Sequence, residues 1–500
     1  MRLTTRTPVM ITTVSIVAGI MLCDGLMPFI DIELWELLAV AVVWLIALCL
    51  LNKKETPKSF LMATMLMAMT IGTLCYTYEY GAVRYGANTA SQHFGGVITD
   101  KPQRKAKTWA VTFRTDEGDR MMAYLAPDHE PQKGDSIELF CPYGAEPTCL
   151  KDNPDSTYSE YRDYLFHSGI SATMYSPSGQ WQVTGRHRPY GLIERLQALQ
   201  SEMVGHYAES GFRGDEGAII AAITTGDKSM LSKDLRQQYS LAGVAHVLAL
   251  SGFHLTIICG LIELLIIGRL PRRQWKIWGR GITLVAIGAF TVMAGSPPSL
   301  VRAAIMCGIV IVSSMIRHEN NPMNSLFLAI LLMTIFKPMI LFDVGFQLSV
   351  MSMLGLVTVG SFLKKAVPVQ SWWLRQIWGI AYTTMASTLF TLPLISYYFG
   401  SVPLMSLFSN LVVPTLTIVM IGMAALWWIL TPIPAVQDLI GDVLTYTVRL
   451  MNQFTHWISS MDWAILTLRS TLVGVVHEYL LLGILLYLAT LLYKRLNPIR

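Results

Sequence analysis

Charged, amide and imidazole side chains are costly inside apolar stretches, so they usually face a bundle interior or a water-filled cavity. Four such constellations stand out. The first is YSLAGVAHVLALSGFHL over 239–255, where His246 and His254 flank a Ser251-Gly252 step. On a helix, residues spaced this way fall on neighbouring faces, and the Ser-Gly step can kink or unwind the chain where backbone lines a cavity. These groups suit a polar lining at mid-depth. They equally suit two histidines satisfied within a bundle. With no Cys, Asp or Glu beside them, they make a poor metal site.

The second constellation is GSPPSLVR over 295–302. Its two prolines cannot continue a helix and imply a tight turn. Arg302 then opens the next span, placed either to reach a carboxylate or phosphate or to snorkel to the interface. The third is FDVGFQLS over 342–349. Asp343 stands at the mouth of a span, as a helix cap or as a partner for Arg302, and Gln347 lies one turn deeper. The fourth is PLISYYFGSVPLMSLFSNLVVP over 393–414. Pro393, Gly400, Pro403 and Pro414 are expected to cut it into half-length pieces, leaving Asn410 in a piece too short to span. Broken helices of this type line translocation paths. Tyr397, Tyr398 and Phe399 suit stacking on single-stranded bases or, as commonly, an interfacial aromatic belt.

Several enzyme chemistries are excluded. Thr225-Gly226-Asp227-Lys228-Ser229 has an Asp between Gly and Lys and no glycine five residues before Gly226, so it is not a phosphate loop. His477-Glu478 is not followed by a second His, and no G-x-S-x-G elbow or zinc-spaced Cys/His cluster is present. No catalytic residue, metal site or cofactor is expected.

The elements that must position these residues are apolar helices. Of 500 residues, 53% are hydrophobic and only 14% charged, where soluble domains average about 25% charged. The net charge of +5 is mild and does not by itself imply a nucleic-acid partner. Apolar runs predict about eleven spans of the length a bilayer needs, with a weaker amphipathic run near 436–456. The run at 8–28 reads as an anchor rather than a removed leader. Arg2, Arg6, Lys53, Lys54 and Lys58, then the cluster from Arg269 to Arg280, then Lys364, Lys365, Arg375, Lys494 and Arg495 mark inner loops. This scheme places both termini in the cytoplasm and roughly 79–235 outside, provided 436–456 also crosses.

The expected fold is therefore a polytopic α-helical membrane protein with an inserted extracytoplasmic small β domain, an OB-type barrel. Its parts are N-terminal transmembrane helices over 1–78, the β domain over 79–190, amphipathic interfacial helices over 191–235 and a transmembrane domain over 236–500. The β reading rests on short alternating runs such as TWAVTFRT and SIELF between turn signals. Cys141 and Cys149 flank the segment CPYGAEPTC in this domain. An outside location permits a disulfide between them, and two free thiols are the other reading.

Taken together, these stretches resemble the ComEC family of competence proteins. AGVAHVLALSGFHL resembles the family's "HLLAISGLHV" segment, carried by His246, Leu248, Ala249, Ser251, Gly252 and His254. Gly226-Asp227 is similar to its "LGDR" step, SLVRA at 299–303 to its "SLLRA" motif, and FDVGFQLSVMSMLGL to its "FQLSFLATLGL" motif. YYFGSVPLMSLFSNLVVP is similar to "FGQISLLSLLANLLVVP", and NPDSTYSEYRDYLFHSGISATM to "NPGGFDYRRYLARRGI". Phe253 stands where the family usually has Leu.

The resemblance implies a bacterial inner-membrane channel for uptake of single-stranded DNA during natural transformation. It also implies an OB-type domain with a loop disulfide. The path would be formed by His246, Ser251, Gly252, His254, Arg302, Asp343, Gln347 and Asn410. Partners implied are single-stranded DNA, membrane lipids, an extracytoplasmic DNA-binding receptor and a cytoplasmic helicase-like motor. Many relatives carry an HxHxDH nuclease motif that this sequence lacks, so nuclease activity is not expected of it. A small-solute or lipid-intermediate transporter and a membrane-embedded metal-dependent hydrolase are the alternatives from residue chemistry alone.

Overall fold

The computed structural model describes residues 8–27, 34–52, 57–85, 93–100, 102–141, 148–149, 159–186, 191–265, 267–316, 321–366 and 370–496. In chain order, α1 (Pro8–Leu26), α2 (Leu34–Asn52) and α3 (Pro57–Tyr85) lead into strands β1 (His93–Ile98), β2 (Gln103–Arg104), β3 (Trp109–Thr115), β4 (Arg120–Leu125), β5 (Asp135–Phe140) and β6 (Thr148–Cys149). Then come α4 (Ser159–His167), β7 (Ala172–Ser176), β8 (Trp181–Arg186), α5 (Leu192–Glu209), α6 (Gly214–Thr225), α7 (Lys233–Leu241) and α8 (Gly252–Leu265). The chain continues through α9 (Arg273–Met293), α10 (Pro298–Ile316), α11 (Pro322–Phe336), α12 (Val344–Gly355), α13 (Ser361–Ala366) and α14 (Trp372–Phe399). It ends with β9 (Ser401–Pro403), α15 (Ser406–Ile429), α16 (Pro434–Ser459), β10 (Ile465–Thr467) and α17 (Leu472–Leu496).

Among the described residues, eight helical segments are long and apolar enough to cross a membrane: 8–26, 59–84, 252–269, 274–293, 298–316, 344–364, 406–429 and 472–489. The chain is a multi-pass membrane protein. Two of the expected spans, 35–51 and 324–341, form shorter apolar helices, Leu34–Leu50 and Pro322–Phe336. The expected runs at 378–398 and 436–456 form the long helices α14 and α16, whose polar residues keep them out of the apolar set.

The chain divides into two compact units, Met1–Arg195 with Asn324–Phe346, and Leu196–Met323 with Gln347–Arg500. In the first, α1 and α3 run parallel in close contact. A Cβ at Gly19 would collide with the Met69 backbone, and one at Gly72 with the Ile16 backbone. Small residues of this kind let helix backbones approach where lipid provides no hydrophobic drive for association. Further along, Cys23 Sγ lies 3.5 Å from Thr77 Oγ1, and the Tyr76 hydroxyl donates to Asp24. The same acidic group receives His167 Nε2 of α4 at 3.3 Å. The His167 ring stacks on Phe342 at 4.2 Å, and Phe166 packs edge-on against Tyr80 at 5.1 Å. Glu79 accepts from the Met339 N–H at 2.8 Å. The polar residues of α1 and α3 thus anchor the helix that the β domain carries.

The β domain is one sheet with strand order β6-β7-β4-β3-β1-β5-β8, and β2 pairs with β3. Burial alternates along β1, β4 and β5, as a strand with one face on a core requires. Phe113, Leu125, Ile137 and Leu139 fill that core. The expected five-stranded barrel does not close among the described residues. Strand β8 takes the free edge of β5, and β7 joins β4 in parallel register, so no ladder links β5 to β7. Side chains link the ends of β5 and β7. Ser176 Oγ donates to the Phe140 carbonyl at 3.4 Å, and Cys141 Sγ lies 4.0 Å from the Tyr175 carbonyl. Cys141 is buried, with no disulfide partner among the described side chains. The Cys149 side chain, and with it the expected bridge, lies outside the described residues.

In the second unit, α6 is fully apolar from Gly217 to Ile223 and buried against α7, α15 and α16. Ser232 caps α7, its hydroxyl accepting from the Leu235 N–H at 3.1 Å. Gly226 ends α6 at φ 84°, and a Cβ there would press on Leu250 at 2.7 Å. Both the left-handed backbone and the tight contact call for glycine.

The α1–α3 contact makes a prediction. Gly19→Ala and Gly72→Ala each force a backbone shift and should destabilise the protein by roughly 1–3 kcal/mol. Gly25→Ala, where a Cβ meets nothing within 4 Å, should cost much less. Thermal unfolding of the detergent-solubilised variants checks this, and equal loss in all three would contradict it.

Candidate membrane polar site

The Ser251-Gly252 step is a true helix break. A 3-10 turn over Ala245–Val247 precedes it, and α8 begins at Gly252. The break frees backbone groups that neighbouring side chains satisfy. His254 Nδ1 accepts from the Ser251 N–H at 3.2 Å and lies 3.0 Å from Ser251 Oγ. The Leu250 carbonyl accepts from Ser299 Oγ at 3.1 Å. With Nδ1 accepting, the neutral imidazole carries its proton on Nε2. That atom is buried, with no hydrogen bond of ordinary geometry among the described residues. His246, in the 3-10 turn before the break, is exposed. It also stands near enough to His254 for their charges to interact.

The turn between α9 and α10 forms where its sequence predicts. Gly295 and Ser296 have φ of 81° and 53°, and α10 starts at Pro298. Arg302 does not snorkel, being only 7% exposed. Its Nε donates to Ser349 Oγ at 2.9 Å, Nη2 donates to the same oxygen, and Nη1 lies 3.5 Å from Met306 Sδ. Asp343 takes up the capping role, its carboxylate accepting from the Phe346 N–H at 2.7 Å. Gln347 Oε1 accepts from the Tyr398 hydroxyl at 2.9 Å.

Gly252 lets α8 approach α10. A Cβ there would lie 3.1 Å from the Ala303 Cβ and 4.0 Å from Arg302 Nη2. The structure therefore brings Ser251, Gly252, His254 and Arg302 into one neighbourhood where α8, α10 and α12 meet. Ser299 and Ser349 are the members that residue type did not single out. Both are ordinary serines inside quoted motifs, and only their partners distinguish them. In the first unit, Asp24 and Tyr76 lie within apolar runs, which was the available signal for them, whereas Glu79 and His167 lie outside such runs and only their contacts distinguish them.

The fourth constellation departs from expectation. Pro393 and Pro414 sit inside continuous helices, the 28-residue α14 and the 24-residue α15. Neighbouring helices and local adjustment tolerate such prolines in membranes. The break is confined to Gly400, with φ 63°, and the short strand β9, which pairs with β10. Asn410 lies within the first two turns of α15. Its Oδ1 and the adjacent Ser409 Oγ are buried without a hydrogen bond. Among the described residues, no group of three or more His, Cys, Asp or Glu side chains is arranged to hold a metal ion.

Residues 223–493 match the family described as "Competence protein". Those limits enclose every candidate membrane residue named above. Over 371 residues, 72% of this chain, the sequence is 23% identical to "ComE operon protein 3" of Bacillus subtilis (strain 168). The match covers 44% of that relative, so this chain spans less than half of its length. No solved structure matches the chain. The match to the family model covers more than half of the sequence, and the chain belongs to the competence protein family.

Proposed function

We propose that this protein is an inner-membrane channel that admits single-stranded DNA during natural transformation. The observation that carries the reading is the buried polar neighbourhood of Arg302, Ser349, Ser251 and His254. It lies within helices that match the competence family. A polyanion cannot cross lipid, and a path for it needs fixed donors and a buried cation at membrane depth. Arg302 presents a planar fork that suits phosphate oxygens. His254 Nε2 is a buried donor without a well-formed partner. His246, Gln347 and Asn410 add polar groups from other turns of the same unit.

In this reading the termini are cytoplasmic and the β domain faces outward, where it meets the strand. A DNA-binding receptor outside and a helicase-like motor inside complete the system. Deleting the protein and following labelled DNA in both compartments tests the reading as a whole. DNA is expected to reach the outer compartment and fail to enter the cytoplasm. Unimpaired entry would refute the reading.

Arg302→Ala and His254→Ala should each lower transformation about tenfold or more, with the protein level in the membrane unchanged. Arg302→Lys should recover little, because it keeps the charge but loses the fork. Wild-type transformation in both alanine variants would remove these residues from the path. The Cys141–Cys149 bridge belongs to the same reading, as it requires an oxidising compartment. Two thiols that become alkylatable only after reduction, mapped to 141 and 149 by mass spectrometry, are the expected result. Free alkylation without reductant would exclude the bridge.

A further inference from the structure

Helix α16 carries three parallel stripes. Leu444, Val448, Met451, Thr455 and Ile458 are buried against α6, α7 and α15. Leu439, Val443, Tyr446, Leu450 and Trp457 form a second apolar stripe that is exposed, from 38% at Leu450 to 62% at Leu439. Between them runs a polar stripe of Asp438, Asp442, Thr445, Arg449, Asn452 and His456, all exposed or half-buried. The buried and polar stripes repeat in steps of three and four residues, the spacing of one helix face, and the outer stripe does so with the exposed Gln453 standing between Leu450 and Trp457. A helix lying on a membrane surface has one apolar and one polar face. A helix with an inner apolar face, an outer apolar face and a polar seam is built for a different setting.

The neighbours of α16 fix its depth. It runs antiparallel to α15 along its whole length. Gly441 lies against Trp427 at one end, Thr417 Oγ1 is 3.8 Å from Met451 Sδ in the middle, and Phe408 packs on Phe454 and Trp457 at the other end. Helix α15 is itself long and apolar enough to cross the bilayer. The segment that enters α15 and the segment that leaves α16 are joined as the β9–β10 ribbon, so both lie on one side. A chain that departs through α15 and returns to the same ribbon must cross back, and α16 is the returning element. Its polar stripe, Asp438 to His456, is about 27 Å long, close to the thickness of a hydrocarbon core.

We infer that α16 crosses the bilayer and that its polar stripe faces a water-filled path through the protein. The outer apolar stripe meets lipid, and lipid could not accommodate the ionisable residues beside it. Two partners mark the wet side. Arg449 Nε lies 3.3 Å from Glu216 Oε1 of α6, and Asn452 Oδ1 accepts from the Tyr239 hydroxyl of α7 at 2.8 Å. The inference deepens the proposed function by naming a lining of the path, and it holds whether or not DNA is the cargo.

Single cysteines at Asp442, Thr445 and His456 on the polar stripe, and at Val443, Tyr446 and Leu450 on the apolar one, test it in membrane vesicles. Each is compared with the parent chain, whose seven cysteines set the background. A charged, membrane-impermeant methanethiosulfonate reagent should modify the polar positions about tenfold faster than the apolar ones, including Thr445 near mid-helix. A lipid-soluble maleimide should reach the apolar positions and so show that those variants are present and folded. Equal modification of both stripes by the charged reagent would place the helix in water or on the surface and overturn the inference. No modification of the polar stripe would mean a sealed contact and would also overturn it. Modification of the polar stripe that incoming single-stranded DNA does not slow would uphold the wet path and count against DNA as its cargo.

Discussion

A helix interrupted inside an apolar bundle leaves backbone donors and acceptors with no water to satisfy them, and the central unit is organised around meeting that demand. The break before Gly252 frees the Leu250 carbonyl and the Ser251 N–H. Ser299 takes the first and His254 takes the second. Each unmet group would cost about 1–3 kcal/mol, so these side chains are part of the fold before they are part of any path. The Ser299 bond ties the start of α8 to the start of α10, and Arg302 then lies beside Gly252. Arg302 is then held by Ser349 of α12. The groups that hold this buried cation are the Ser349 hydroxyl and the Met306 sulfur.

Close helix approach is the second organising condition. In lipid, apolar burial does not drive helices together, so packing depends on shape. Glycines provide it at Gly19 and Gly72 between α1 and α3, and at Gly355, where a Cβ would strike the Ala386 backbone of α14. Gly243, at φ 76°, does the same for the turn after α7 against Ser406 at the start of α15. The contacts that hold polar groups in register are therefore made by residues with no side chain at all.

Helix α16 shows how hydropathy averaged along a helix hides the arrangement of its faces. Placed in lipid at mid-bilayer, Asp438, Asp442 and Arg449 would cost about 2.5–3.5 kcal/mol each. That sum rivals the 5–15 kcal/mol that separates folded from unfolded proteins. Averaged along the chain, such residues remove the helix from the set of apolar spans. They are confined to one seam of the helix, and the remaining two faces are apolar but for Gln453.

The sequence by itself determined the membrane class, the inserted β segment, the Ser-Gly break, the Pro-Pro turn and the family, because these depend on local spacing and backbone restriction. His254, Arg302 and Gln347 were legible as polar residues in apolar runs for the same reason. Their partners were not. Ser299, Ser349 and Tyr398 are distant in the chain and unexceptional in type, so only packing reveals what they bind. Pro393 and Pro414 misled, since a membrane helix absorbs a proline whose neighbours cover the freed carbonyl. The strand order among the described residues, with β8 paired to β5 and β7 to β4, depends on which edges meet in space. Composition carries no record of that choice, and tertiary structure alone decided it.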